Sequence, residues 1–118
     1  MVSGQGSSDE QGNRQAVEAV EQGVKHLEND QCDQAIDSLT LAIGLCPALA
    51  NAYFARAGAY DGRGDFELAI ADCTELIRLN PECAGAYSLR GQICEKMGNW
   101  AKAERDFAKA RRIEARQQ

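Results

Sequence analysis

Features that would indicate catalysis, metal binding or a membrane span are scarce in these 118 residues. The sequence has one histidine, two prolines and only 6% aromatic residues. None of its apolar runs approaches the roughly 18 residues that a membrane-spanning helix needs. The N-terminal residues also lack the apolar core of a secretory signal, which favours a cytoplasmic protein with no membrane partner.

The cysteines are too widely spaced for a zinc site. No two of the five lie closer than ten residues: Cys32, Cys46, Cys73, Cys83 and Cys94. Structural zinc sites use closely spaced ligand pairs, and an odd count does not fit a complete set of intrachain disulfides. We therefore predict reduced cysteines that serve as small apolar side chains, with no metal and no cofactor.

The charge balance disfavours nucleic acid. The formal net charge is −5, whereas phosphate binding depends on an excess of Lys and Arg. Residues 102–118 hold six basic and three acidic residues, so this end carries +3 and the remainder −8.

There is one imidazole, no phosphate-binding glycine loop and no nucleophile placed beside a base, so we expect no catalytic residues and no enzyme.

A 34-residue repeat organises the chain. Pro47 and Pro81 lie 34 residues apart, and Ala35, Ala69 and Ala103 keep the same step. Each unit has two alanine-rich, helix-favouring segments on either side of a polar turn that contains glycine. The pattern predicts helices at about 15–28, 32–45, 49–62, 66–79, 83–96 and 100–115.

These columns resemble the tetratricopeptide repeat, in which small, aromatic, Ala and Pro positions recur within 34 residues. The matching positions of the second unit are Tyr53, Ala57, Tyr60, Ala69, Cys73 and Pro81. The resemblance implies an all-α fold of three antiparallel helix–turn–helix repeats, stacked into a right-handed superhelical α-solenoid. The domain would span 15–118, with repeats at about 16–49, 50–83 and 84–117. Residues 1–14 are rich in Gly, Ser, Gln and charge, which predicts a disordered leader.

The repeat also predicts local contacts. Gly64 aligns with Gly98 as left-handed helix ends, and Asp65 aligns with Asn99 as helix N-caps. Phe66 aligns with Trp100 as the bulky residue under the turn.

When the three repeats are aligned, each set of equivalent positions forms a column, and two of these columns lose their charge together in the first repeat. Arg56 aligns with Arg90, and Asp72 with Asp106, while the first repeat has uncharged residues in both columns. An unpaired charge between helices is costly, so we predict that each Arg pairs with the Asp of its own hairpin.

Two apolar columns become charged in the third repeat. Ile36 and Ile70 align with Glu104, while Ile43 and Ile77 align with Arg111. A terminal repeat needs a polar outer face, so the pattern predicts that no fourth repeat packs there and that the protein has three repeats.

The resemblance implies a concave groove, lined by the first helix of each pair, that binds an extended or helical segment of a partner protein. The candidate groove residues are Val17, Val20, Val24, Leu27, Asn51, Phe54, Asp61, Ser88, Leu89 and Gln92.

Some co-chaperones of this fold hold the C-terminal carboxylate of heat-shock proteins with a Lys/Asn/Arg clamp. The equivalent positions here offer no side-chain donor, which argues against such a clamp: Val20, Val24, Ala55, Gly85 and Leu89.

The first helix poses an open question. Val17, Val20, Val24 and Leu27 form one apolar stripe. The stripe could hold a peptide by apolar anchors, form a homodimer face, or turn inward and be buried. We predict a non-enzymatic module that binds a partner peptide in the groove, with a self-associating scaffold as the alternative.

Overall fold

The structure, a computed structural model, describes the backbone of residues 3–118 and the side chains of residues 10–118. It contains only helices in that range: α1 (Ser3–Glu28), α2 (Cys32–Leu45), α3 (Ala50–Arg63), α4 (Phe66–Leu79), α5 (Ala84–Lys96) and α6 (Trp100–Arg116). Each odd-numbered helix packs against the next helix to form a hairpin, and successive hairpins meet through α2–α3 and α4–α5. The predicted all-α array of helix–turn–helix repeats is confirmed. None of the helices in the described part of the chain is long and apolar enough to cross a membrane.

Five of the six helices begin and end within one residue of their predicted limits, and α1 is the exception. It begins at Ser3, within the segment 1–14 for which a disordered leader was predicted, and residues 1–2 lie outside the described range. Among the side chains of α1 that the structure describes, from Glu10 onward, the first buried one is Ala16. Residues 10–15 are helical although none of them is buried, because adding a residue to an existing helix forms one hydrogen bond and needs no new nucleus.

The turns within the second and third hairpins follow the prediction in part. Gly64 and Gly98 have φ angles of 84° and 79°, so both adopt the predicted left-handed conformation. Asn99 caps α6 by accepting a hydrogen bond from the backbone N–H of Lys102 at 3.4 Å. The predicted cap by Asp65 is wrong, because its carboxylate forms an ion pair with Arg63 at 2.7 Å and makes no capping bond.

The two apolar columns that become charged are contacts between repeats. Ile43 of α2 packs against a core cluster formed by the next two hairpins, and Ile77 of α4 packs against Tyr87 and Ile113. The equivalent side chains of the third repeat, Glu104 and Arg111, are exposed and form an ion pair, with 3.5 Å between an Arg111 guanidinium nitrogen and a Glu104 carboxylate oxygen.

Trp100 does not pack as Phe66 does. Phe66 lies against a cluster that includes Ile93 of the following hairpin, whereas Trp100 is 65% exposed. The prediction of an equivalent packing role is therefore wrong. Its physical reason is that, within the described residues, no helix follows α6 to cover this position.

The predicted Arg–Asp pairs are confirmed. Arg56 donates two hydrogen bonds of 2.8 Å to the carboxylate of Asp72, and Arg90 does the same to Asp106. Each Arg also reaches back to the preceding repeat, where it donates to the hydroxyl of Thr40 at 3.1 Å or of Thr74 at 3.3 Å. We call each such group of three side chains a rung. The hydrogen bonds that each guanidinium donates to a buried carboxylate raise its pKa, so both remain charged.

Candidate functional site

The apolar stripe of α1 is divided between the core and the surface. Val20 is only 8% exposed and belongs to the core between α1 and α2, and Leu27 packs against the same core. Val17 and Val24 are 50% and 39% exposed. Successive residues of a helix are rotated by about 100° around its axis, so Val17 and Val24 point about 20° apart and lie on the same side of α1. Val20 is rotated away from them, toward the core. The structure thus corrects the predicted place of Val20 on the groove surface.

The centre of the predicted groove is occupied by Phe54 of α3. Its side chain is 44% exposed. Its ring extends toward α5, because a Cβ built on Gly85 would lie 3.8 Å from the Cζ atom of Phe54. Asn51, one turn earlier in α3, is also exposed. An aromatic ring with a glycine beside it can offer a partner both an apolar face and close access to the backbone.

The remaining candidates lie on α5 and at the end of α3. Gln92 is exposed, whereas Ser88 and Leu89 are half-buried, and Leu89 packs against a core cluster. Asp61 is also half-buried and accepts hydrogen bonds from the Nζ of Lys96 at 2.9 Å. The carboxylate of Asp61 is therefore already paired and less available to a ligand.

The exposed candidate residues of α1, α3 and α5 form what we call the groove face: Val17, Val24, Asn51, Phe54 and Gln92. It combines apolar side chains with two neutral amides. Such side chains suit contact with a peptide rather than bond breaking, since none of them can transfer a proton near neutral pH.

Cys73 and His26, two residues of types that could react, lie in separate surroundings. Burial raises the pKa of Cys73 to about 12, so this thiol stays protonated and is a poor nucleophile. His26 lies at the end of α1 and bonds to the side chain of Gln31 at 2.8 Å. Among the described residues, no group of three His, Cys, Asp or Glu side chains is arranged to hold a metal ion.

A second surface feature, a hollow of about 520 Å³ between α1 and α2, was missed by sequence reasoning. The exposed side chains of Leu41 and Leu45 line it beside Ala19. The 34-residue repeat could have predicted this hollow, because the small residue Ala19 aligns with Tyr53 and Tyr87. Both tyrosines are buried and donate to the carbonyl of a proline six residues earlier, at 3.0 and 3.2 Å. The first hairpin therefore lacks the ring that fills this place in the other two.

Filling the hollow should stabilise the protein. We expect Ala19→Tyr to raise the free energy of unfolding by about 1 kcal/mol, as cavity-filling changes commonly do. The ring would cover Leu41 and Leu45 as Tyr53 covers its own hairpin. Urea unfolding followed by circular dichroism measures the change. An unchanged or lower midpoint would show that α1 and α2 close over the hollow without a ring.

Comparisons with known proteins agree with this architecture. Residues 54–117 match the family model described as "Tetratricopeptide repeat". The mitochondrial import receptor subunit TOM70 of Rattus norvegicus is 34% identical over 89 residues, which cover 71% of this chain but 15% of the receptor. The chain thus spans only a small part of the length of such relatives.

Solved structures of the same shape include peptide-bound domains. The Arabidopsis OM64 TPR domain is 28% identical and superposes with a TM-score of 0.86, covering 89% of this chain and 87% of that domain. The first TPR of Spaghetti (RPAP3), bound to the HSP90 peptide SRMEEVD, is 27% identical with a TM-score of 0.84, covering 87% and 82%. The chain therefore belongs to the tetratricopeptide repeat family, whose domains are protein–protein interaction modules.

Proposed function

We propose that this chain is a non-enzymatic module that binds a segment of a partner protein on the groove face, with Phe54 as the central anchor. The observation that supports this most directly is the exposure of Phe54, Val17 and Val24 on the first helices of their hairpins. Helices α1 and α3 are in contact, and several large exposed apolar side chains on adjacent helices indicate an interaction site more often than single scattered ones do. Aromatic residues also contribute strongly to binding energy at such sites.

The groove face does not favour a heat-shock-protein carboxylate. RPAP3 is bound to the peptide SRMEEVD, whose last four residues include three acidic ones. In this chain the five positions equivalent to the carboxylate clamp hold apolar residues or glycine: Val20, Val24, Ala55, Gly85 and Leu89. Val20 is also buried. Without a side-chain donor, the terminal carboxylate would lose its hydration without gaining hydrogen bonds. We therefore propose a partner segment held by apolar anchors. The five unpaired cysteines suit a reducing compartment such as the cytoplasm.

The test is a pair of matched substitutions. Peptides selected from a display library for binding to the wild-type chain should lose affinity by about thirtyfold with Phe54→Asp, because truncating a central anchor costs about 2 kcal/mol. Leu68→Asp is the control, since Leu68 on α4 is similarly exposed at 50% but lies outside the groove face. Val20→Asp is unsuitable, because a charge at this buried position would disrupt the core.

Two results would contradict the proposal. One is equal loss of affinity in the Phe54 and Leu68 variants, each with an unchanged circular dichroism spectrum. The other is self-association through the same side chains. Light scattering during size-exclusion chromatography would show a dimer for the wild-type chain and a monomer for Phe54→Asp, which would establish the homodimer instead.

A further inference from the structure

We propose that the segment bound by the groove face is cationic as well as apolar, an inference that rests on the proposed function. The first observation concerns α1. Glu21 and Glu28 lie with Val24 around one shallow depression on this helix, where Lys25 is the only cation. Both carboxylates are exposed. Among the side chains of residues 10–118, neither forms an ion pair.

The other side of the groove face repeats this imbalance. Lys96, one turn after Gln92 on α5, forms an ion pair with Asp61 of α3, with 2.9 Å between its Nζ atom and the carboxylate. Glu95, the residue before it, is exposed and has no ion-pair partner among the described side chains. The exposed apolar anchors are thus bordered on α1 and α5 by three carboxylates that form no ion pair among the described side chains, and Lys25 is the one cation beside those of α1.

The chain's own surplus of positive charge lies away from the carboxylates of α1. It is concentrated in residues 102–118, which carry +3 from six basic and three acidic residues. Most of this segment is α6, which packs against α5 and Ile77 of α4 and makes no contact with α1. Exposed charges separated by more than about 8 Å are largely screened at physiological salt. A bound segment with Lys or Arg beside its apolar side chains would therefore meet carboxylates that have no ion-pair partner and are in excess over Lys25, whereas an acidic segment such as SRMEEVD would be repelled.

Three designed peptides test this inference by fluorescence anisotropy. All have the same length and the same stripe of Leu and Ala, and they carry lysine, glutamine or glutamate at the remaining positions. We expect the lysine peptide to bind about tenfold more tightly than the glutamine peptide, because two exposed ion pairs together supply about this factor. The glutamate peptide should bind least. The preference should shrink between about 0.05 M and about 0.5 M salt.

The double variant Glu21→Gln/Glu28→Gln should remove most of the lysine preference and leave affinity for the glutamine peptide unchanged. The matched control is Asp37→Asn/Glu114→Gln, which changes the net charge equally through exposed residues of α2 and α6. The control should retain the preference.

Each other outcome overturns a specific statement. Equal binding of the lysine and glutamine peptides, with both still lost in Phe54→Asp, would refute the cationic preference and leave the groove face standing. Loss of preference in the control variant would assign it to net charge rather than to α1. Binding that Phe54→Asp does not affect would refute the proposed function as well, and so would no binding at all. Salt-sensitive dimerisation that Glu21→Gln/Glu28→Gln abolishes would identify a second copy of the chain as the cationic occupant.

Discussion

Replacing Asp72 with alanine is expected to lower the free energy of unfolding by about 3 kcal/mol, because breaking a buried ion pair leaves an uncompensated charge between helices. The side chains of Arg56 and Asp72 are only 17% and 7% exposed. In a domain of this size the loss corresponds to a fall in melting temperature of about 15 °C. Urea unfolding monitored by helical circular dichroism measures it.

Two comparison variants separate the buried charge from other effects. In Arg56→Leu/Asp72→Leu both charges are removed, and apolar replacements of whole buried pairs are often neutral, so this variant should recover most of the loss. Glu75→Gln breaks the ion pair with Arg78 on the surface of α4, and it should leave the unfolding midpoint unchanged, because exposed pairs contribute little. If the double variant were less stable than Asp72→Ala, the buried charge would not be the cause of the instability.

Replacing Gly91 with valine should have the next largest effect, a loss of about 2–3 kcal/mol from overpacking. A Cβ atom at this position would lie 2.7 Å from Cε1 and 2.9 Å from Cδ1 of Phe107. The ring of Phe107 would therefore have to shift to admit any side chain at position 91, and valine adds two methyl groups to the overlap. The melting temperature of the purified variant measures the effect.

Gly58 supplies the matched control within α3. A Cβ atom there would have no other atom within 4 Å, so Gly58→Ala should raise stability by about 0.5–1 kcal/mol through helix propensity alone. The smaller change Gly91→Ala should lower stability despite the same gain in propensity. The variant Gly91→Val/Phe107→Leu should recover part of the loss. Equal effects of alanine at Gly91 and Gly58 would show that Phe107 moves aside freely.

The fold was predictable because each feature occurs at least twice. Tyr53 with Tyr87 and Gly64 with Gly98 mark the same points of two repeats, so an error in one copy is corrected by the other. The Arg–Asp pairs followed from the same redundancy, since both charges disappear together in the first repeat. Electrostatic cost made a direct contact the simplest explanation of that pattern.

The site was less predictable because position within the array decides exposure. Val17 and Val20 have the same chemistry, yet a rotation of the helix places one at the surface and the other in the core. Phe66 and Trp100 occupy one column, and only Phe66 has a following hairpin to cover it. Asp65 was assigned by its intrinsic capping preference, but the neighbouring Arg63 competes successfully for its carboxylate. These outcomes depend on neighbours that the periodic pattern does not identify.

The two rungs share helix α4. One joins α2, α3 and α4, and the other joins α4, α5 and α6, so α4 contributes to both, through Asp72 and Thr74. Unfolding of α4 therefore breaks both rungs, which couples the second and third repeats into one cooperative unit. Helix α1 takes part in neither and can detach without breaking either. Fraying and amide hydrogen exchange should begin at α1 and be slowest in α4, so the array opens from its N-terminal helix.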